Sequence, residues 1–587
     1  MAGSLILSRR DVEFLLFEWL NVTDLLDRPR FAEHSPETFR AVLELAEQLA
    51  TNDFAPHNRK ADENEPHVVD GRVVLIDEVA PALRKLAESG LIASTFDAEL
   101  GGLQLPVTVA RAAMAWLQAA NVGTSAYPFL TMANAALLVA HGSPEQIDTW
   151  VRPMLEGRYF GTMCLSEPQA GSSLADITTR AEPQDDGSYR LFGNKMWISG
   201  GEHELSENIV HLVLAKVPGG PPGVKGISLF IVPRVMPDGS HNDIALAGLN
   251  HKMGYRGTTN CLLNLGENGG AVGYLVGELN SGLAAMFHMM NEARIGVGLG
   301  ATALGYTGYL HALDYAHGRT QGRPATNRDA TQPQIPIIEH SDVRRMLLAQ
   351  KAYVEGGLAL GLYCSKLVDT EQTADSAEQR QAAHTLLEVL TPIAKAWPSQ
   401  WCLAANDLAI QVHGGYGYAR DYPVEQFYRD NRLNPIHEGT NGIQALDLLG
   451  RKVALNRGAG LKLLAETINA TIERADNADA VTKAFGQSLQ AAVQRLLQVT
   501  ATLHGTGDPE LTLANAHVYL EATGHIVLSW LWLDQLLAVG GQDGPFYQGK
   551  RRAAEYFHRW ELPKTGPMLD LLASMDRTVL DTEPDWL

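Results

Sequence analysis

The sequence predicts an α+β protein of several domains, in which a β domain separates two helical blocks. The chain has 587 residues, too many for a single compact core. Before residue 159 and after residue 280, apolar residues recur three and four positions apart, as they do in amphipathic helices. Between these positions the apolar runs are short and end at Gly, Asp or Asn, as strands do.

Four sections follow from this pattern. We predict an N-terminal helical domain over 1–158, a central antiparallel β domain over 159–280, a helical bundle over 281–457 and a C-terminal helical extension over 458–587. The helical spacing is clear in ETFRAVLELAEQLATNDF, and the strand pattern is clear in NIVHLVLAKV and GISLFIVPRV. The extension is acidic, with 10 basic and 16 acidic residues.

Charge excludes one broad class of function. The net charge is −20 and the sequence pI is near 5.4, the wrong sign for a protein that neutralises the phosphates of a nucleic acid. We therefore expect no nucleic-acid partner.

Cysteine spacing and the apolar stretches indicate the compartment. The four cysteines form no C-x-x-C pair and have no histidine at zinc spacing, so we predict a reducing compartment and no metal. The first twenty residues do not resemble a secretory signal, because charged residues interrupt the continuous apolar segment that such a signal requires. The stretch HIVLSWLWLDQLLAVG is too short to cross a bilayer and contains Asp534. We expect a cytoplasmic protein without integral membrane contact.

Three polar or glycine-rich stretches are longer than simple turns. Residues 165–173 (LSEPQAGSS) expose N–H and O–H donors that suit an anion or a polar ring edge. Residues 195–201 (KMWISGG) contain Trp197, which is either a core residue or the shield of a flat cofactor. Residues 411–418 (QVHGGYGY) lack the flanking strand and helix of a nucleotide fingerprint. Taken singly, each is also explained by turn chemistry or core packing.

The sharpest signal is NPIHEGTNGIQ, residues 434–444. Gly439 permits an unusual backbone angle directly after Glu438, and Thr440 or Asn441 can cap the helix that follows. A carboxylate in such a loop can act as a base, or it can simply favour the positive end of the helix.

Together and in this order, the four stretches resemble the acyl-CoA dehydrogenase superfamily. The resemblance covers about residues 53–452 and is carried by CLSEPQAGS, KMWISGG, QVHGGYGY and IHEGTNGIQA. It is closest to the long branch of the superfamily, which has an additional C-terminal helical domain and includes dehydrogenases of 3-methylthiopropanoyl-CoA and of fatty acyl-CoAs. The acyl-CoA dehydrogenase fold and a role in fatty acid β-oxidation are implied.

The resemblance also implies FAD as the cofactor. Leu165 and Ser166 would reach the edge of the flavin ring, and Trp197 would cover its outer face, as core residue and cofactor wall at once. Gly171 and Ser172 would lie near the pyrophosphate or the pantetheine arm of CoA. The ADP half would be held, in this family usually across a subunit boundary, by Arg319, Gln321, Gln411, Gly414 and Gly415. Such sharing implies a homodimer or homotetramer. The implied FAD contacts are Met163, Leu165, Ser166, Gly171, Ser172, Trp197, Ser199, Arg319, Gln321, Gln411, Gly414, Gly415, Thr440 and Asn441.

The resemblance implies that Glu438 occupies the position where most members of the superfamily keep the catalytic base. The base removes the α proton of an acyl-CoA thioester while the β hydrogen leaves as hydride to flavin N5, which gives a trans-2-enoyl-CoA. An ordinary carboxylate, with a pKa of about 4.3, is too weak a base for that proton, so burial should raise the pKa of Glu438. The resemblance implies that the Glu438 backbone N–H and a ribityl hydroxyl of FAD hold the thioester oxygen. The implied substrate contacts are Ser172, Arg294, His437 and Gly439.

Two positions depart from the family pattern. His437 replaces the usual Tyr before the base, and it either titrates and tunes the carboxylate or only fills the same space. Some relatives place the base on the long helix before an Arg, but here Ala293 precedes Arg294. Glu292 lies about 100° around that helix, which leaves Glu438 as the candidate base.

We expect a dehydrogenase that passes electrons to an electron-transferring flavoprotein. An acyl-CoA oxidase is the chemical alternative, and the residues do not separate the two. An alkylation-response-like flavoprotein would have a basic C-terminal domain, which the acidic extension does not match. A nitroalkane oxidase would carry Asp, rather than Glu438, as its base.

Overall fold

The computed structural model describes residues 4–327 and 329–587, apart from the side chains of residues 287–291. The described chain forms two compact units. The first, here called the bundle unit, consists of Met1–Ser35, Val107–Ala112 and Arg294–Leu587; the second, called the sheet unit, consists of Pro36–Pro106 and Ala113–Ala293. The first 35 residues therefore group with the C-terminal half of the chain.

The strands all belong to the sheet unit. In chain order they are β1 His67–Val69, β2 Arg72–Val74, β3 Tyr159–Cys164, β4 Arg180–Pro183, β5 Tyr189–Ser199, β6 Asn208–Lys216, β7 Ile227–Pro233, β8 Ile244–Leu249, β9 Asn260–Leu265 and β10 Ala271–Val276.

Strands β3 to β10 form one sheet, and β1 and β2 form a separate hairpin. The sheet order is β10-β7-β6-β4-β5-β9-β8, β3 pairs with β6, and β10 also pairs with β5. Most pairs are antiparallel, as predicted, but β3 runs parallel to β6 along its whole length. Every residue of β7, and of β6 up to its last residue, is buried, as expected for strands covered on both faces.

Helices make up most of the remaining chain. In chain order they are α1 Arg9–Glu13, α2 Pro36–Leu49, α3 Asn58–Glu63, α4 Val79–Glu88, α5 Val107–Ala120, α6 Val122–His141, α7 Pro144–Gln146, α8 Arg152–Leu155, α9 Gly282–Gly318, α10 Ser341–Thr373, α11 Ala377–His413, α12 Gly415–Tyr418, α13 Val424–Asn431, α14 Asn441–Asp447, α15 Leu455–Ala475, α16 Ala480–Gly505, α17 Pro509–Leu513, α18 Ala516–Val539, α19 Pro545–Tyr556, α20 Thr565–Ala573 and α21 Thr578–Asp581.

Polar contacts attach the N-terminal residues to the C-terminal helices within the bundle unit. The indole N–H of Trp19 donates to Asp534 Oδ2 at 2.8 Å. Asp11 is buried, forms an ion pair with Lys550 and accepts a hydrogen bond from the Tyr306 hydroxyl at 3.0 Å. Buried charges of this kind require their partners, so these contacts fix where the first helix lies in the unit.

Two helices, α6 and α18, are long and apolar enough to cross a membrane by length and composition. Within the relevant windows 61% and 78% of the residues are buried in the protein. Core helices of globular proteins meet the same criteria, so this is weak evidence for a membrane span.

Candidate active site

The loop between α13 and α14 presents Glu438 from a left-handed backbone. Glu438 has φ +53° and Gly439 has φ +83°. Thr440 Oγ1 accepts from the Ile443 N–H at 3.2 Å and so caps α14, as predicted. The buried amide of Gln444 donates to the carbonyls of Glu438 and Gly439, both at 3.2 Å. A non-glycine residue with positive φ is uncommon, and these contacts hold it in place.

The carboxyl group of Glu438 has few polar neighbours. Burial raises its pKa, which Lys395 and Arg294 oppose without reversing the shift. In the described part of the chain no N–H or O–H group donates to this carboxylate, although the residue as a whole is partly exposed. The direction of the shift is the one expected from the sequence, and it makes Glu438 a stronger base than an ordinary glutamate.

Lys395 lies beside the loop, and sequence reasoning did not single it out. It is on α11, its relative exposure is 0%, and its ammonium group donates to the Asn434 carbonyl at 2.7 Å. It also lies 3.4 Å from Asn441 Oδ1. Burial lowers the pKa of Lys395 to about 7, although the neighbouring Glu438 opposes this shift. No local motif marks this lysine, because only the fold brings it to the loop.

His437 is neutral near pH 7. Burial and the charge of Lys395 lower its pKa to about 3. Its Nε2 lies 2.9 Å from Asn434 Oδ1, a contact that requires the proton on Nε2. Of the two roles left open by the sequence, the structure therefore favours space filling and anchoring of the loop over titration.

Arg294 is the second cation near Glu438. It is buried, and its Nη1 donates to Asp447 Oδ2 at 3.0 Å. Its Nε has no acceptor within the described residues. Arg294 thus contributes to the electrostatics of Glu438, and Ala293, which precedes it, offers no acid.

Within the sheet unit, the two motifs expected along the flavin lie together. The Met196 N–H donates to the Ser166 carbonyl at 3.0 Å. The fully buried Lys195 donates to the Leu165 carbonyl at 3.1 Å and forms an ion pair with Glu167 at 3.0 Å. These contacts bind the loop that follows β3 to strand β5.

Trp197 is the side chain that this arrangement exposes. The register of β5 against β9 shifts between Lys195 and Ile198, and Trp197 in this bulge has φ +66°. Its relative exposure is 59%. The expectation that Trp197 is a core residue is therefore wrong, because the bulge turns the indole away from the buried strand positions.

The other sheet-unit candidates differ in exposure. Gly171 and Ser172 are exposed, and a Cβ at Gly171 would have no atom within 4 Å. Met163 and Ser199 are half-buried, and Ser199 Oγ accepts from Asn260 Nδ2 at 3.1 Å. An open loop next to an exposed indole suits a large planar ligand with a charged tail.

The candidates for the ADP half lie on the surface of the bundle unit. Arg319 and Gln321 follow α9, whereas Gln411, Gly414 and Gly415 lie at the end of α11; all five are exposed. The Arg319 guanidinium is 5.7 Å from the ring centre of Tyr416, so the two segments meet. A Cβ at either glycine would have no atom within 4 Å. A cation next to open backbone is a donor set that fits a pyrophosphate.

Comparison with known families identifies the class of protein. Four family models match in chain order: the acyl-CoA dehydrogenase N-terminal domain over 36–158, the middle domain over 162–266, the C-terminal domain over 280–453 and an acetyl-CoA dehydrogenase C-terminal-like domain over 464–583. The chain belongs to the acyl-CoA dehydrogenase family. The fold class expected from the sequence, including the C-terminal extension, is confirmed.

Similar proteins cover almost the whole chain. A 3-methylmercaptopropionyl-CoA dehydrogenase of Ruegeria pomeroyi is 37% identical and covers 93% of this chain and 94% of its own. The broad-specificity linear acyl-CoA dehydrogenase FadE5 of Mycobacterium tuberculosis is 32% identical over 98% of both chains. A solved acyl-CoA dehydrogenase of Bacillus anthracis, complexed with FAD, matches the fold with a TM-score of 0.74 at 20% identity, over 95% of this chain and 93% of that one.

Membership of the acyl-CoA dehydrogenase family confirms the predicted class, an oxidoreductase, and the predicted cofactor, FAD. The residues of both units fit that cofactor, since they supply an exposed indole, an open loop and an exposed cation next to glycine backbone.

Proposed function

We propose that this protein converts an acyl-CoA thioester to the trans-2-enoyl-CoA, with Glu438 as the base that removes the α proton. One observation carries this proposal: Glu438 is a carboxylate of raised pKa, held on a fixed left-handed loop, to which no described group donates a hydrogen bond. Such a carboxylate can accept a proton without first losing a partner.

The backbone next to the base can stabilise the charge that develops on the substrate. Within residues 4–327 and 329–587, the Glu438 N–H has no acceptor. A free N–H in a rigid loop suits the thioester oxygen as it gains negative charge on loss of the α proton. Removing one donor of this kind typically costs about 2.7–4 kcal/mol. The orphaned Nε of Arg294 supplies a further positive potential near the carboxylate.

Bound FAD would supply the acceptor for the β hydrogen, which leaves the substrate as hydride. Leu165, Ser166, Trp197 and Ser199 would hold its ring, and the exposed set around Arg319 would hold its ADP half. The contribution of these residues is to bind and orient the cofactor, and to supply a flat apolar wall at Trp197.

Three further points belong to the proposal. Electrons pass to an electron-transferring flavoprotein, with oxygen as the alternative acceptor of an oxidase. The chain assembles as a dimer or tetramer, and it acts in the cytoplasm. The acidic extension and the net charge of −20 continue to disfavour a DNA-binding flavoprotein.

The test is an anaerobic titration of the full-length, FAD-loaded protein. A panel of acyl-CoAs of different length and branching is added while the visible absorbance of the flavin is recorded, and the product is analysed by mass spectrometry. The matched control ligand is 2,2-dimethylpropanoyl-CoA, which has no α proton.

We expect at least one straight or branched acyl-CoA to bleach the flavin and to yield the 2-enoyl-CoA, while the control ligand leaves the flavin oxidised. Rapid reoxidation by oxygen would make the protein an oxidase, whereas reoxidation only by an electron-transferring flavoprotein would make it a dehydrogenase. Bleaching by the control ligand, or by no ligand in the panel, would contradict the proposed reaction.

A further inference from the structure

The loop that carries Glu438 is held at both ends by one buried ammonium group. Lys395 Nζ donates to the carbonyl of Asn434 at 2.7 Å, before the base, and lies 3.4 Å from Asn441 Oδ1, after it. The side chain of Asn434 in turn contacts His437 at 2.9 Å. The lysine therefore connects the start of the loop, the residue before the base and the first residue of α14.

The charge of this lysine has no direct anionic partner. Its hydrogen-bond acceptors are a carbonyl and an amide oxygen, and both are neutral. Another buried lysine of the bundle unit, Lys452, instead forms an ion pair with Glu388. Among the described residues, the carboxylate that acts electrostatically on Lys395 is Glu438 itself.

We propose that Lys395 is a positioning residue for the base: its buried ammonium group fixes the loop of residues 434–441 and sets the pH range over which Glu438 is ionised. The part of this proposal that concerns catalysis rests on the proposed function, whereas the effect on Glu438 does not. The other titratable groups that face the pair are Arg294 on α9, with its partner Asp447 on α14, and the neutral His437.

The sign of the effect follows from the charges. A cation favours the ionised form of a carboxylate, so Lys395 lowers the proton affinity of Glu438 against the raising effect of burial. Because the pKa of Lys395 is itself lowered to about 7, the lysine loses this charge over the range in which enzymes operate. Loss of the ammonium charge by mutation should therefore raise the pKa of Glu438.

Three substitutions separate charge from hydrogen bonding. Lys395→Met removes both, Lys395→Gln keeps an N–H donor without the charge, and Lys395→Arg keeps the charge. Lys452→Met is the matched control, because it removes a buried lysine of the bundle unit whose partner is Glu388. Each FAD-loaded variant is checked for folding by circular dichroism and for flavin content.

The readout is the pKa of Glu438 from pH-dependent difference infrared spectra. The carboxyl band is assigned by its absence in Glu438→Gln, so the measurement needs no turnover. The pH profile of substrate-dependent flavin reduction is recorded in parallel, and its acid limb should move with the infrared pKa. If Glu438→Gln keeps full activity, the proposed base is wrong, but the infrared comparison still tests the effect of Lys395.

We expect the pKa of Glu438 to rise in Lys395→Met and Lys395→Gln, and to stay near the wild-type value in Lys395→Arg and Lys452→Met. An unchanged pKa in the two neutral variants would overturn the proposal, and so would an equal rise in Lys452→Met. If Lys395→Met does not fold, the pKa of Glu438 in Lys395→Gln alone tests the proposal, because that variant retains a donor for the Asn434 carbonyl.

Discussion

Two motif loops of this chain, residues 165–173 and 434–444, each carry a glutamate next to a fully buried lysine, and the pKa values of the two glutamates shift in opposite directions. In the sheet unit, Glu167 accepts hydrogen bonds from the Thr178 N–H at 2.7 Å, the Thr179 N–H at 3.0 Å and Lys195 at 3.0 Å. In the bundle unit, Glu438 receives none from the described residues.

This difference determines the protonation of each carboxylate. Burial tends to raise the pKa of Glu167, but Lys195 and the threonine donors outweigh it and lower the pKa to about 2. Burial raises the pKa of Glu438, and the nearby cations do not reverse the shift. Burial alone therefore does not make a base. A buried carboxylate without donors remains able to take a proton, whereas Glu167, which also accepts from the Thr178 hydroxyl and the Gln169 amide, remains ionised and structural.

The largest expected effect on stability is at Glu167. Glu167→Gln leaves Lys195 buried without its counter-charge, and breaking a buried pair in this way costs about 3–5 kcal/mol. Thermal unfolding should show a marked fall in the melting temperature. The control is Glu182→Gln, which removes an exposed pair with Arg180 and should cost at most about 1 kcal/mol. Equal melting temperatures for the two variants would remove the structural role assigned to Glu167.

The next effect is on the geometry of the catalytic loop. In Gly439→Ala the new Cβ would lie 2.6 Å from Gln444 Nε2 on a backbone of φ +83°, so the loop must move. Because a displacement of about 1 Å can cost up to 10²-fold in rate, we expect anaerobic flavin reduction by acyl-CoA to slow by about 10- to 100-fold. Gly442→Ala, where the nearest atom is 3.8 Å away, should react at nearly the wild-type rate. A Gly439→Ala protein as fast as its control would show that the loop need not be fixed.

The smallest expected effect is a gain in stability, opposite in sign to the loss expected for Glu167→Gln. Because folding raises the pKa of Glu438 above its usual 4.5, the ionised carboxylate opposes folding at neutral pH, by about 1.4 kcal/mol per unit of pKa difference. Glu438→Gln should therefore be more stable than the wild-type protein at pH 8. This gain in stability over the wild-type protein should be smaller at pH 5 and should vanish as the pH falls below 4.5. Melting curves at both pH values provide the check, and a Glu438→Gln protein that is less stable than wild type at pH 8 would contradict the assigned shift.

Local sequence patterns predicted most of the fold and the tight loop that presents Glu438. The helical spacing, the strand runs and the loop around Glu438 were visible, because each depends on neighbouring residues. The hairpin of β1 and β2 was missed, although Asp70 and Gly71, with φ +49° and φ +77°, form the Asp-Gly turn that marks such hairpins.

The features that the sequence did not predict depend on contacts between distant residues. Lys395 precedes Glu438 by 43 positions in the sequence and meets the loop only because the fold packs α11 against it. Its bond to Asn434 and its electrostatic effect on Glu438 show this contact. The exposure of Trp197 depends on a bulge against β9, and the grouping of residues 1–35 with the C-terminal half depends on pairs such as Asp11 and Lys550.

The most direct test of the central claim is the rate of anaerobic flavin reduction by a reactive acyl-CoA in Glu438→Gln, measured by stopped-flow absorbance at equal FAD content. Glutamine fits the same space and cannot accept the α proton. Since loss of a general base costs about 10²-fold or more, we predict a rate at least about 100-fold below that of the wild-type protein, with acyl-CoA still bound. A rate above about a tenth of the wild-type value would show that another residue is the base.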